Sequence, residues 1–336
     1  MKPVTCFGEM LLRLSPPGSE LFFQSPSLRT WFGGSEMNVA VGLAHLGTPS
    51  RYVTKLPENA VGDAALSFLR AEDVDARQVR RGGARMGIYF VESGADLRPM
   101  RVVYDRAGSA FSAIEPSELD WSDILRDAGG LHLSGITPAV GDGPARVALA
   151  AAEAARTLGV PVSLDLNYRP ALWGSRDPRP VMAQLAAASG LLIGNPGAFR
   201  AMLGVDTSDG DDDASVAAAC RRVHEELGCG RVAVTRRDAR SASEHGWHAY
   251  LYHAATATLH TSRAYTVRVV DRVGGGDSFA AGLLHAFGEG RDDAAALEFA
   301  TAVSAIKLTI PGDVSRTTAA EADRLLAARA EMGVKG

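Results

Sequence analysis

The nine residues Asp271-Arg272-Val273-Gly274-Gly275-Gly276-Asp277-Ser278-Phe279, followed by the apolar run Ala280 to Phe287, have the types and spacing to handle a phosphate. Three glycines ahead of a helix leave backbone N–H groups uncovered and pointing at one spot. The helix dipole adds to them, so the segment predicts an anion hole. A carboxylate at the rim of such a hole, Asp277, is out of place beside a resting anion. It has a purpose beside a phosphoryl group in transit, where it accepts the proton of the attacking hydroxyl. The competing reading of Asp277 is a helix N-cap, a position aspartate favours.

Other phosphate and metal signatures are missing or incomplete. A Walker A loop needs a Gly-Lys dipeptide, which the chain lacks. A Rossmann fingerprint belongs after the first strand, where the sequence reads Phe7-Gly8-Glu9-Met10, and Gly141-Asp142-Gly143 does not complete one either. His245 and His248 have no third ligand nearby and read as surface or loop histidines. The acidic run Asp209, Asp211, Asp212, Asp213 does not follow EF-hand spacing and reads as a solvated loop. No residue is assigned as a metal ligand.

The elements that must position Asp277 alternate along most of the chain. Strands are expected at Val4 to Gly8, Arg51 to Leu56, Leu131 to Ser134, Val160 to Leu166, Leu191 to Gly194 and Val232 to Thr235. Helices are expected at Ser35 to Leu46, with Ser35 as its N-cap, at Val61 to Ala71, and in the Ala-rich stretches 145–158, 181–189 and 214–227. This alternation predicts an α/β fold with a mostly parallel sheet covered by helices on both faces, and ligands beyond the carboxyl ends of its strands. Met10 to Phe32 and Met86 to Tyr104 break the pattern. Runs such as Gly87 to Val91 and Arg101 to Tyr104 suit a small antiparallel flap, usable as a lid, or an ordinary excursion of the sheet.

The bulk numbers bound the partners. The chain has 336 residues and a formal net charge of −4, too near neutrality to mark a nucleic-acid or anionic-membrane surface. Three scattered cysteines, Cys6, Cys220 and Cys229, point to a reducing compartment rather than a disulfide framework. No run approaches the roughly 18 apolar residues that span a bilayer. The expected location is the cytoplasm.

From about Cys6 to Pro311 the chain resembles the ribokinase-like (phosphofructokinase B) sugar kinases. Asp271 to Phe279 is similar to that family's carboxyl-terminal signature, and Phe32-Gly33-Gly34-Ser35-Glu36-Met37-Asn38-Val39-Ala40 to its amino-terminal Gly-Gly…Asn-x-Ala motif. The resemblance implies a three-layer ribokinase-like fold, one catalytic domain over 1–336, and a β-rich lid made of segments 10–32 and 86–111. It implies ATP and Mg2+ as cofactors, and a homodimer or higher assembly through the lid. Gly274, Gly275 and Gly276 would join Asp277 in catalysis; Gly33, Gly34 and Asn38 would contact the sugar; Asn167, Asn195, Thr235, Arg236, Gly274 and Gly276 would contact the nucleotide.

Within the family the best resemblance is to 2-keto-3-deoxygluconate kinases, through Gly87-Ile88-Tyr89, Tyr104 to Ala110, Leu131 to Pro138 and Asp165 to Trp173. That group implies that Tyr89, Tyr104, Arg106 and Arg169 contact a sugar acid. The chemistry agrees, since a guanidinium just past the strand ending at Leu166 recognises a carboxylate by paired hydrogen bonds. The structural alternatives are that Arg169 pairs with Asp165 and that both tyrosines are packing residues. The expected reaction is phosphorylation of the terminal hydroxyl of 2-keto-3-deoxygluconate. A kinase for fructose, ribose or another keto-deoxy sugar acid, a non-catalytic sugar-binding relative, and an NAD-dependent oxidoreductase are the rivals. The chain departs from the family at Asn195-Pro196-Gly197-Ala198, where a Glu is usual, at Thr235-Arg236-Arg237, where Lys and Gly are usual, and at Arg272 and Gly275.

Overall fold

The computed structural model describes residues 1–206 and 212–333. Fourteen strands are found among them: β1 (Val4–Phe7), β2 (Leu11–Ser15), β3 (Arg29–Gly33), β4 (Ser50–Leu56), β5 (Val79–Arg81), β6 (Gly87–Glu92), β7 (Arg101–Asp105), β8 (Gly130–Ser134), β9 (Val162–Asp165), β10 (Leu191–Gly194), β11 (Arg231–Ala239), β12 (Glu244–His253), β13 (Thr258–Thr261) and β14 (Tyr265–Arg268). Ten form the main sheet in the order β13-β12-β11-β10-β9-β8-β1-β4-β5, with β14 also on β12. From β5 to β11 every pairing is parallel, and only β12, β13 and β14 run antiparallel.

Alternate residues of each central strand feed opposite cores. Phe7, Val53, Leu192, Val232 and Val234 pack on one face with the helices Asp142–Leu158, Arg179–Ala187 and Asp213–Leu227. Cys6, Tyr52, Leu191, Ile193 and Ala233 pack on the other with Ser35–Leu46, Gly275–Gly288 and Asp293–Lys307. Both faces are apolar because both are covered, as the helix–strand alternation requires. On the second face, Gly42 lets two helices close together: a Cβ there would lie 3.0 Å from the Cβ of Ala281. That approach sets the helix Ser35–Leu46 beside Gly275–Gly288.

The remaining strands form a separate four-stranded sheet, β3-β2-β6-β7. It is mixed, not the antiparallel flap expected: β3–β2 and β6–β7 are antiparallel, but the central β2–β6 pair is parallel. Strands from two distant segments meet there, so no hairpin dictates their direction. The stretch running on to residue 111 also reaches the main core, where Phe111 packs against Phe7.

Other local differences have similar causes. The N-cap of Ser35–Leu46 is Gly34, not Ser35, whose hydroxyl is used elsewhere. His245 and His248 are strand residues on β12, and His245 is buried. Of the acidic run, Asp209 and Asp211 lie outside the described residues, while Asp212 caps the helix Asp213–Leu227. The three cysteines are free and buried. No helix among the described residues is long and apolar enough to cross a membrane.

Arg13 on β2 joins the small sheet to the main body. It is 1% exposed, and its guanidinium pairs with Asp271 at 2.8 Å and Asp313 at 2.9 Å, with Trp31 stacked at 5.0 Å. Burial pushes the Asp313 carboxyl up to about 6 despite that partner. Removing the cation strands two buried carboxylates, a defect that costs about 3–5 kcal/mol. Arg13→Met is therefore expected to lower the urea unfolding midpoint at neutral pH, and to lose less at pH values where Asp313 takes up a proton.

Candidate functional site

A cavity of about 790 Å³ opens at the carboxyl ends of β9, β10 and β11, between the main sheet and the small one. Asp277 lies on its wall. The carboxylate occupies the third position of the helix Gly275–Gly288, whose N-cap is Gly274. It does not cap its own helix. Instead Oδ1 accepts from Ser35 Oγ at 2.8 Å and Oδ2 from Asn38 Nδ2 at 2.7 Å, both on the neighbouring helix. Asn167 Nδ2 reaches Ser35 Oγ at 2.7 Å and Asp277 Oδ1 at 3.5 Å. Burial raises the pKa of Asp277, while the Asn38 and Ser35 bonds and then the charge of Arg169 oppose the rise.

Two further acids stand behind it. Asp165, at the end of β9, is pushed up to about 7 by burial and by the neighbouring charge of Asp277. Glu36 is buried with Oε1 accepting from Ser134 and Thr137, both at 2.7 Å, and its pKa is raised mainly by desolvation. Three buried carboxyls that feel one another's charge cannot all ionise freely at neutral pH.

The triple-glycine turn is shaped by contacts that exclude a side chain. Gly274 has φ 79°, and a Cβ there would fall 1.9 Å from the Asp313 carbonyl oxygen. The first helical bond runs from Ser278 N to Gly274 O at 2.9 Å, so the Gly276 and Asp277 amides precede it and carry the dipole's positive end. A Cβ on Gly276 would meet nothing within 4 Å, which places that residue against open space.

Of the sugar-side residues expected from the sequence, Gly34, Asn38, Tyr89, Tyr104, Arg106 and Arg169 all line the cavity. Gly33 does not; it lies at the end of β3 under the Asp313 carboxylate and the Tyr89 hydroxyl. Tyr89 is buried and stacks on the half-exposed Tyr104, with centroids 6.1 Å apart. Arg106 is committed to Glu9 in a buried ion pair, with Nε at 2.8 Å, and faces the Tyr104 ring. Arg169 donates to the Tyr168 carbonyl at 3.2 Å and has no salt-bridge partner among the described residues, so the Asp165 pairing is not formed. Asn38 Oδ1 is buried with no hydrogen-bond partner among the described residues.

The nucleotide-side residues also reach the cavity: Asn167, Asn195, Thr235, Arg236, Gly274 and Gly276 line it. Asn167 sits within reach of Asp277 and holds φ 38°, a left-handed conformation uncommon outside glycine. Asn195 is engaged as the cap of Pro196–Leu203, and Ala198, where the family's Glu would stand, is buried. Sequence reasoning offered Arg237 beside Arg236 as a replacement for the family's cation, but it missed Ser35 as a partner of Asp277, and Asp165, Arg272 and His245 as residues of the cavity. Arg272 loses some basicity to burial and to the like charges of Arg237 and Arg169, and the first two of these arginines also depress His245 after burial does. One end of the cavity is acidic at Asp277 and Asp165, the other positive. No group of three His, Cys, Asp or Glu suited to a metal occurs among the described residues.

Residues 1–319 match the pfkB family carbohydrate kinase model. The chain is 32% identical over 320 residues to the 2-dehydro-3-deoxygalactonokinase of Haloferax volcanii, covering 95% of each. It superposes on the crystal structure of Thermotoga maritima 2-dehydro-3-deoxygluconokinase with a TM-score of 0.94 and 40% identity, covering 97% of this chain and 98% of that one. A 5-dehydro-2-deoxygluconokinase from Clostridium tetani is 26% identical over 287 residues, 84% of this chain and 80% of its own. With the triple-glycine turn, the buried carboxylate and the shared fold, the chain belongs to the pfkB family of carbohydrate kinases, ribokinase-like phosphotransferases that act on an alcohol group.

Proposed function

We propose that the protein phosphorylates the terminal hydroxyl of a keto-deoxy sugar acid, 2-keto-3-deoxygluconate or its galacto epimer, with ATP as donor. The observation that carries this is Asp277, held by Ser35 and Asn38 at the junction of the acidic and positive ends of one cavity. The sugar's alcohol lies against Asp277. Its carboxylate is recognised by Arg169, which has no salt-bridge partner among the described residues, although its charge acts on Asp165 and Asp277. Tyr89 and Tyr104 offer hydroxyls and ring faces, and Arg106 reaches the sugar only while keeping its bond to Glu9.

The nucleotide's phosphates suit the positive end, where Arg236, Arg237, Arg272 and the amides of the Gly274–Gly276 turn line the wall. Thr235 and Asn195 border the same end, with Asn167 between it and the base. Magnesium suits the site as a companion of the phosphates, because the described residues supply no three-ligand cluster. Asp277 takes the alcohol's proton as the oxygen–phosphorus bond forms, and the turn's amides meet the charge on the transferring oxygens. Burial makes Asp277 a stronger base than an exposed aspartate, which suits this task. The mixed four-stranded sheet serves as the lid. Its outer strand β7 leaves Val103 53% exposed, and Leu97 beyond it is 93% exposed, which favours pairing of two copies through the lids.

Three outcomes test this reading. Asp277→Asn is expected to cut kcat by about 10²–10⁴-fold with ATP affinity nearly unchanged; similar turnover in the variant removes Asp277 from the role. In an ADP-release assay the two keto-deoxy epimers are turned over and fructose is not, and Arg169→Ala raises KM for the acids. Strong fructose turnover that survives Arg169→Ala defeats the sugar-acid assignment. Finally, kcat/KM falls as pH drops through the raised pKa of Asp277. Because Asp165 titrates higher folded than unfolded, its contribution to stability is lost as pH rises through about 7. Asp165→Asn should thus raise Tm progressively from the ordinary aspartate range, about 4, up to about 7, and leave it little changed only below that range.

A further inference from the structure

Only four lysines occur in the chain, and one of them, Lys307, is 0% exposed. It ends the helix Asp293–Lys307 and reaches back behind the triple-glycine turn, its Cε 3.3 Å from where a Cβ on Gly274 would be. A buried ammonium ordinarily sits beside a carboxylate. This one has none within 4 Å among the described residues. Its three hydrogens go instead to three backbone carbonyls: Gly312 O at 2.7 Å, Ile310 O at 3.1 Å and Asp271 O at 3.4 Å. Burial pulls its pKa down to about 8.

Those carbonyls belong to the two segments that shape the anion hole. Asp271 opens the glycine turn, and its carboxylate accepts from Val273 N and Gly312 N, both at 3.1 Å. Gly312 precedes Asp313, whose carbonyl is the group that Gly274 must clear. One turn earlier on the same helix as Lys307, Ser304 Oγ donates to Gly275 O at 2.6 Å. Carbonyl oxygens gathered around one point repel each other unless a cation lies among them.

We propose that Lys307 is a positioning residue for phosphoryl transfer: its ammonium is a tethered cation in a cage of three carbonyls, locking segment 308–313 against the glycine turn so that the Gly276 and Asp277 amides converge on the transferring group. The role rests on the anion-hole reading above. Lys307 touches neither sugar nor nucleotide; it acts through the backbone it holds.

The test uses Lys307→Met, which keeps the bulk and removes the charge, and Lys307→Ala, which leaves the cage empty. Lys307→Met is expected to lose about 10²-fold in kcat, the scale of a misplaced catalytic group, with sugar KM little changed. Ammonium or potassium chloride should restore about tenfold to Lys307→Ala, the worth of one charge-assisted hydrogen bond, whereas lithium and tetramethylammonium chloride at equal ionic strength should not. Wild-type turnover is expected to ignore the choice of salt. If Lys307→Ala is poorly folded, its Tm is the readout, rising with ammonium or potassium and not with lithium. Wild-type kcat in both variants overturns the proposal, as do losses that track only the unfolded fraction or the absence of any cation-specific recovery in kcat and Tm. The rates are ratios to wild type on whichever alcohol it phosphorylates, so a wrong sugar assignment does not mimic failure here.

Discussion

The carboxylate of Asp277 is held by hydroxyl and amide groups from the opposite end of the chain. Ser35 and Asn38 enter from one helix and Asn167 from the turn after β9, and all three meet a group on a third element. None of these bonds is local, so the site exists only when the two helices lie side by side. Gly42 against Ala281 provides that proximity. A buried anion is tolerated there because its oxygens are satisfied, and it stays basic because the donors are neutral.

The second organising feature is separation of charge across a single cavity. The acids Asp165 and Asp277 and the arginines Arg169, Arg236, Arg237 and Arg272 line the same cavity. Arg169 faces both ends, lowering the pKa of Asp165 and Asp277 while its own charge opposes that of Arg272. Substrate carboxylate and donor phosphate would each relieve repulsion that the empty protein carries. Binding and catalysis thereby draw on the same imbalance.

The parts of this arrangement legible in the sequence are those written in local pattern. Strand–helix alternation revealed the parallel sheet, because burying both faces demands continuous apolar strands. Glycine runs beside polar residues marked the two segments, but not that Ser35 and Asn38 bond to Asp277. Long-range consequences were hidden. Ser35 looks like a cap because serine often is one, yet Gly34 holds that position and frees the hydroxyl. Asp165 ends an ordinary strand, and nothing local tells that Asp277 stands beside it. The parallel β2–β6 pairing joins segments that no turn connects. Lys307 reads as a helix-terminal surface lysine until the next segment folds over it, and His245 became a strand residue because β11 and β12 are longer than their apolar cores suggest.

Arg13 carries a mechanical consequence. Its strand, β2, is the middle of the small sheet, and its guanidinium is bolted to Asp271 and Asp313 at the floor of the cavity. Swinging the whole sheet away would pull that cation from both anions and leave each in a dry setting, at a penalty far above thermal energy. A movement of the small sheet that kept both ion pairs would therefore be confined to its outer strand β7 and the 93–100 bend, with β2 held in place.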